Sequence, residues 1–224
     1  MNEVVIRRRK ACPIDSPNFE ELSQNETAGV DYRILLRQAK AEFAIVAPHG
    51  GGIEPGTSEI ADAIAGEEFS LYDLEALKSS GNHDLHITAT RFDEPMCLTV
   101  IGRSKIVVTI HGEHSEADGE GVFVGGLNHI LGTSLGAALK DAGFDIRKHP
   151  DPKLQGLEPK NLCNCGTSTK GVQFELSRSV RQGMFSSLSR EGRKHTTARF
   201  GAFVEAVRSV LVEQTASLTS NASG

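Results

Sequence analysis

Short runs of apolar, β-branched residues alternate with stretches of helical periodicity from residue 42 onward. Each run has the length of a strand and is bounded by Gly, Pro or charged residues. The predicted strands are 43–47, 85–89, 96–101, 106–110, 122–124 and 172–176. The predicted helices are 58–65, 127–142, 181–190 and a last one whose apolar stripe recurs at three and four residues. That stripe consists of Phe200, Phe203, Val204, Val207, Val210 and Leu211.

Strands interleaved with helices predict an α/β fold, a sandwich built on a mixed sheet. We expect a single domain over residues 31–214, which is long enough to bury one sizeable core. Residues 1–30 are polar and contain Pro13 and Pro17, so they are predicted to be an N-terminal extension that packs over the domain. Residues 215–224 are small and polar, and we expect them to be disordered.

The charge and composition of the chain argue against some classes of binding partner. The 224 residues include 24 basic and 29 acidic side chains, a net charge of −5. This balance argues against nucleic-acid binding, which depends on clustered Lys and Arg. No apolar run is long enough to cross a membrane, and no apolar stretch typical of a secretory signal follows the basic N-terminal residues. We therefore expect a cytoplasmic protein, a monomer, whose four scattered cysteines are free thiols.

A glycine-rich loop follows the first predicted strand, at the sequence PHGGGIEPGTSE of residues 48–59. Ligand sites in open α/β sheets lie at the carboxyl ends of strands, which is where this loop falls. It carries His49 and Glu54, with three glycines between them. Glycine permits backbone conformations that bulkier residues obstruct, so the imidazole and the carboxylate can converge on one point.

The strand 106–110 also ends in a polar group, the sequence His111-Gly-Glu-His. An imidazole at the end of a neighbouring strand can complete a set of two histidines and one carboxylate with His49 and Glu54. This set is typical of hydrolytic zinc sites, where three protein ligands leave a fourth position for water. Each histidine taken alone is more often a hydrogen-bonded residue of the core or its rim. Two histidines at strand ends, together with Glu54, favour a metal.

The strand 172–176 carries a carboxylate, Glu175, flanked by apolar residues. A carboxylate in a buried strand is costly unless it has a partner or a chemical role. The partner could be Arg178 or Arg181. The chemical role would be that of a general base, which takes a proton from the attacking water and gives it to the leaving amine.

Together these segments resemble the poly-γ-glutamate hydrolase family of bacteriophages and of bacterial genomes of phage origin. The matching stretches are APHGGGIEPGTSEIA at 47–61, LHITATRFDEP at 85–95, VTIHG at 108–112, VFVGG at 122–126 and NLCNCGTSTKGVQFELS at 161–177. The resemblance implies a three-layer core similar to that of zinc carboxypeptidases and cleavage of γ-amide links in poly-γ-glutamate. It also implies a Zn²⁺ held by His49, Glu54 and His111, with Glu175 as the base.

A substrate with a carboxylate on every residue requires a local basic cleft in this acidic protein. Arg91, Arg178 and Arg181 are the candidate substrate-binding residues, although each could instead pair with Glu59, Asp93 or Glu94. His86 and His114 could orient a metal ligand or lie at the surface. Two alternatives to the polymer hydrolase stay open. One is a zinc amidohydrolase of small N-acyl amino acids, and the other is a binding module whose glycine loop holds an anion without a metal.

Overall fold

The computed structural model describes residues 18–39, 42–113 and 121–221. Its centre is one seven-stranded sheet with the strand order β1-β3-β2-β4-β7-β5-β6. The strands are β1 Tyr32–Arg37, β2 Phe43–Gly51, β3 Ser70–Ala76, β4 Ile106–Gly112, β5 Val122–Gly125, β6 Ile146–Arg147 and β7 Val172–Leu176. The helices are α1 Phe19–Asn25, α2 Thr57–Ala65, α3 Pro95–Arg103, α4 His129–Asp141, α5 Arg178–Met184 and α6 Ala198–Asn221.

The sheet is mixed, as predicted. Strands β3, β2, β4 and β7 are parallel. At the edges, β1 runs antiparallel to β3, and β5 runs antiparallel to β7. Because the carboxyl ends of parallel strands meet at one edge, the residues that follow β2 and β4 and those late in β7 lie on the same side of the molecule.

Two hydrophobic layers cover the two faces of the sheet. Alternate residues of β2 point to opposite faces: Phe43 and Ile45 belong to the layer built with α2, α4 and α6. Ala44 and Val46 belong to the layer built with α1 and α3. This arrangement confirms the predicted three-layer α/β sandwich. Among the described residues, no helix is both long and apolar enough to cross a membrane.

Two predicted strands are wrong. The run 96–101 lies in helix α3, because Glu94 caps the helix by accepting a hydrogen bond from the backbone N–H of Cys97 at 2.7 Å, and Pro95 occupies the first turn. Its buried residues, Cys97, Val100 and Ile101, follow the helical period, whereas Met96 and Leu98 are exposed. The run 85–89 follows a short 3₁₀ helix at Asn82–Leu85 and is otherwise irregular.

Other boundaries differ from the prediction as well. Strands β1, β3 and β6 were not predicted, and α5 ends at Met184 instead of residue 190. The predicted N-terminal extension contains α1, whose Leu22 is fully buried in the second hydrophobic layer, while residues 1–17 lie outside the described part of the chain. Helix α6 runs to Asn221, so a helix occupies most of the segment that was expected to be disordered.

Asp73 gives the stability of this fold a specific pH dependence. It is 1% exposed in β3, where its Oδ1 accepts a hydrogen bond from the Ser58 hydroxyl at 3.0 Å. Burial, followed by the charge of Glu75, raises the pKa of Asp73 well above its usual value. Because the pKa is higher in the folded state than in the unfolded state, this group's contribution to stability is complete at low pH and is lost as the pH rises.

Asp73→Asn is therefore expected to gain stability relative to the wild type as the pH is raised from about 5 to about 8. Asparagine keeps an acceptor for Ser58 and has no charge to desolvate. Urea denaturation at several pH values measures the difference in free energy of unfolding. A difference that does not change with pH would contradict this explanation.

Candidate metal centre

The glycine loop turns the chain back on itself directly after β2. Gly51 has a φ of +64°, and a Cβ at this position would lie 2.4 Å from the carbonyl oxygen of Ala76, so only glycine fits. The turn closes when the backbone N–H of Glu54 donates to the carbonyl of His49 at 2.9 Å. The Thr57 hydroxyl then donates to the carbonyl of Glu54 at 2.9 Å. The loop thereby brings the Glu54 carboxylate back to the imidazole of His49.

The three predicted metal ligands meet at one buried point. His49 Nδ1 lies 2.9 Å from Glu54 Oε1 and 3.1 Å from His111 Nδ1. One potential ligand atom from each of the three residues lies within 4.8 Å of the others, and all three residues are buried. Two bonds of about 2 Å to one zinc ion place their nitrogens about 3.4 Å apart in a tetrahedral site. The distance between the two Nδ1 atoms is close to that value.

Hydrogen bonds to the surrounding backbone orient His49 and Glu54 in a way that suits the binding of a cation. His49 Nε2 lies 2.8 Å from the carbonyl oxygen of Ile87, which can only accept, so Nε2 carries the proton. Nδ1 is therefore the ring atom that faces the carboxylate of Glu54, where it can share a proton with the carboxylate or bind a metal ion. A backbone carbonyl that fixes the tautomer of a ligating histidine is common in metal sites. Glu54 is oriented in a similar way, because the N–H of Gly112 donates to its Oε2 at 2.7 Å.

The protonation states are those that a metal requires of its ligands. Burial by itself would raise the pKa of Glu54, but His49, His111 and the N–H of Gly112 outweigh it and lower that pKa to about 2. Burial, followed by the charge of His49, lowers the pKa of His111 to about 3. At neutral pH the site therefore offers a carboxylate and a neutral imidazole, and the Nε2 atom of His111 is buried without a hydrogen-bond partner.

Glu175 lies beside this cluster on the neighbouring strand. In the parallel pairing of β4 with β7 it is directly opposite His111. Burial, followed by the charges of Glu54 and Glu113, raises the pKa of Glu175 well above its usual value. A carboxylate with a raised pKa is suited to accept a proton near neutral pH.

A cleft of about 240 Å³ opens over the cluster and Glu175. Its lining combines the proposed ligands and the base with residues of three other segments, around residues 86–90, 112–113 and 153–161. The lining residues are His49, Glu54, His86, Thr88, Ala89, Thr90, His111, Gly112, Glu113, Lys153, Leu154, Asn161, Gln173 and Glu175.

The predicted substrate-binding arginines are not among the described residues that line this cleft. Arg181 is fully buried, and its guanidinium donates to the carbonyl oxygens of Leu176, Pro55 and Glu113 at 3.1, 2.7 and 2.9 Å. It packs against Gly112, where a Cβ would lie 2.6 Å from Cζ of Arg181. Its side chain holds together the loops that carry the proposed ligands, and its role in substrate binding stays a prediction. Arg91 and Arg178 are exposed, and neither is among the residues that line the cleft, although Arg91 directly follows the lining residue Thr90.

Several polar residues of the cleft were not singled out from the sequence. Glu113 Oε2 lies 3.1 Å from Nε2 of His149, which is buried as well. The Gln173 amide donates to Glu175 Oε1 at 2.9 Å and accepts from Asn161 at 2.9 Å. The position of Gln173 two residues before Glu175, on the same face of the strand, was the only signal in the sequence for this contact.

The remaining predicted histidines have different outcomes. His86 packs against the ring of His49 with centroids 3.9 Å apart, and its Nε2 lies 4.0 Å from Glu54 Oε1. It therefore lies next to the proposed ligands. His114 lies outside the described residues.

Comparisons with known proteins agree with the site. Residues 17–206 match the model of the family described as poly-gamma-glutamate hydrolase. The UPF0714 protein YndL of Bacillus subtilis (strain 168) is 37% identical over 190 residues, which cover 84% of this chain and 74% of that protein.

Two solved structures are similar over nearly their whole length. A bacteriophage poly-gamma-glutamate hydrolase superposes with a TM-score of 0.84 and 33% identity, covering 89% of this chain and 97% of that one. The zinc-free form of YndL superposes with a TM-score of 0.82 and 34% identity, covering 89% and 98%. The chain therefore belongs to the poly-gamma-glutamate hydrolase family and is an enzyme of the hydrolase class.

Proposed function

We propose that this protein is a zinc-dependent hydrolase that cleaves the γ-glutamyl amide bonds of poly-γ-glutamate, with Glu175 as the general base. The observation that carries the proposal is the convergence of His49, Glu54 and His111 within 4.8 Å at the bottom of a cleft that also contains Glu175. A related structure is that of a bacteriophage poly-gamma-glutamate hydrolase, and another is described as zinc-free. The first relative supports poly-γ-glutamate as the substrate of this chain, and the second supports zinc as its metal.

In the proposed mechanism each residue has a separate task. His49, Glu54 and His111 hold the metal, and zinc in such a set polarises a carbonyl and makes a water molecule more acidic. Glu175 removes a proton from the attacking water and delivers it to the nitrogen of the leaving amine. Ile87 and Gly112 keep the ligands in the orientation that this chemistry needs.

Gln173 fixes the position of the base. The orientation of its amide is determined by a chain of hydrogen bonds that begins at the N–H of Cys163, which donates to Asn161 Oδ1 at 3.1 Å. Asn161 Nδ2 then donates to Gln173 Oε1, and Gln173 Nε2 donates both to Glu175 and to the carbonyl of Leu154 at 3.1 Å. Because both the oxygen and the nitrogen of the Gln173 amide form hydrogen bonds, the amide has one fixed orientation. Its Nε2 atom is therefore held against the carboxylate of Glu175.

We therefore expect Gln173→Met to lower kcat by about tenfold, which is the value of one hydrogen bond to a charged group. The effect on kcat is expected to be larger than the effect on KM, which follows only from the lost contact with Leu154, and zinc content is expected to stay close to that of the wild type, because Gln173 does not contact the proposed ligands. Steady-state kinetics with a γ-linked oligomer measure both parameters. A kcat within about twofold of the wild-type value would show that Gln173 does not position the base.

One experiment separates the polymer hydrolase from the two alternatives. The zinc-loaded protein is incubated with D-rich and L-rich poly-γ-glutamate, and chain length is followed by size-exclusion chromatography. We expect the polymer to be shortened, and we expect activity to fall sharply when the oligomer is replaced by a single γ-linked unit. Equal activity on the single unit would favour an amidohydrolase of small N-acyl amino acids. Failure to bind zinc would favour an anion-binding module.

A further inference from the structure

The cleft has an unusual charge balance for a site that takes an anionic polymer. Three carboxylates line it, those of Glu54, Glu113 and Glu175. Among the described residues of the lining, Lys153 is the one lysine or arginine. Like charges repel more strongly in a partly enclosed cleft than in open water, so a substrate carboxylate that enters here is favoured by a cation close to its own position.

Hydrogen bonds on both sides of the turn that carries Lys153 connect it to residues of the cleft. On one side, the N–H of Asp151 donates to His149 Nδ1 at 3.0 Å, which leaves the proton of the neutral ring on Nε2, facing Glu113 at 3.1 Å. The side chain of Asp151 in turn accepts from the N–H of Lys153 at 2.9 Å.

On the other side, the carbonyl of Leu154 accepts from Gln173 Nε2, the same nitrogen that donates to Glu175. The Gln155 amide closes the turn by donating to the carbonyl of His149 at 2.7 Å. The main chain of Lys153 is thus held in a fixed relation to both Glu113 and Glu175. Its side chain is exposed, so its ammonium group is available to a ligand in the cleft.

We propose that Lys153 is the specificity-determining residue of the cleft, which binds the α-carboxylate of a glutamyl unit next to the scissile amide. This inference rests on the proposed function. In a γ-linked chain every unit keeps a free carboxylate on its α-carbon, the carbon that also carries the amide nitrogen. An amide without a neighbouring carboxylate offers Lys153 no partner. The cleft therefore selects amides that carry a carboxylate beside the bond to be cut.

Binding to an inactivated protein tests this inference without requiring turnover. A γ-linked glutamate oligomer is titrated by calorimetry into zinc-loaded Glu175→Gln, with and without Lys153→Ala. We expect Lys153→Ala to weaken binding by about tenfold or more, the value of a hydrogen bond between charged groups. Lys153→Arg is expected to restore most of the affinity. The matched control is Lys170→Ala, which removes the same charge from an exposed residue before β7, at the opposite edge of the sheet.

The substrate offers a second control. An oligomer whose α-carboxylates are converted to carboxamides is expected to bind with and without Lys153→Ala to within about twofold. Equal affinity of the natural oligomer for both proteins, or no measurable binding to either, would overturn the role of Lys153. Turnover by the wild type is measured separately. Cleavage that is unaffected by Lys153→Ala refutes this inference alone, whereas Lys153-dependent binding without any cleavage by the wild type refutes the hydrolase.

Discussion

Glu175→Gln is expected to keep its zinc and to lose turnover by about 100- to 10,000-fold, the contribution of a general acid–base group. Glutamine has nearly the same shape as glutamate but cannot accept the proton of the attacking water. Metal binding should survive, because His49, Glu54 and His111 form the proposed ligand set and Glu175 lies outside it. Zinc content measured by atomic emission, together with kcat on a γ-linked oligomer, checks both parts of the expectation.

The control for this variant is Glu213→Gln, which changes an exposed carboxylate of α6 in the same way. It should leave both zinc content and kcat unchanged. Turnover by Glu175→Gln close to that of the wild type would remove Glu175 from the mechanism. Loss of zinc together with loss of turnover would instead indicate that Glu175 helps to form the metal site.

His49→Ala is expected to abolish metal binding and turnover together. His49 is at the centre of the cluster, since its Nδ1 atom lies within 3.1 Å of both other ligands. Losing it removes one of three protein ligands, and mutation of partners that merely orient a ligand already costs about 10- to 100-fold in metal affinity. We therefore expect zinc affinity to fall by more than about 100-fold, and activity to fall below detection at ordinary zinc concentrations.

Competition with a chromophoric chelator measures the affinity. His129→Ala provides the control, because His129 is exposed in the first turn of α4 and is not part of the cluster. If His49→Ala bound zinc as tightly as the wild type, the metal would have to lie elsewhere in the protein.

The sequence predicted the elements that carry the site and missed several that support it. Strands β2, β4 and β7 are fully buried; β2 and β4 begin with nearly continuous apolar runs, and in β7 three apolar residues alternate with Gln173 and Glu175. Their parallel arrangement brings His49, His111 and Glu175 to one edge, which is why the ligands and the base could be proposed from their positions at strand ends. The glycine loop supplied Glu54 in the same way.

The errors have physical causes that a single sequence does not reveal. Residues 96–101 are apolar enough for a strand, but the cap provided by Glu94 begins a helix there. Residues 85–89 were predicted as a strand, whereas their irregular path lets the carbonyl of Ile87 reach His49. Strand β3 contains Asp73 and Glu75, and these acidic residues hide its apolar pattern.

The choice of cations was the least predictable part of the site. Arg181 was expected to face substrate because it follows the strand of Glu175, yet it is fully buried and bound to three carbonyl groups. Lys153 lies in a turn whose position depends on the contact between His149 and Glu113, two residues that are 36 positions apart. Such a contact depends on tertiary structure and leaves no local pattern in the chain.

His49, Glu54 and His111 are proposed to hold one divalent ion. To locate this ion, crystals of the wild-type protein are soaked with zinc, and diffraction data are collected on both sides of the zinc absorption edge. We expect one anomalous peak about 2 Å from the Nδ1 atoms of His49 and His111 and from the Glu54 carboxylate. If zinc were bound only by other residues, with no anomalous peak at this cluster, His49, Glu54 and His111 would not be the metal site.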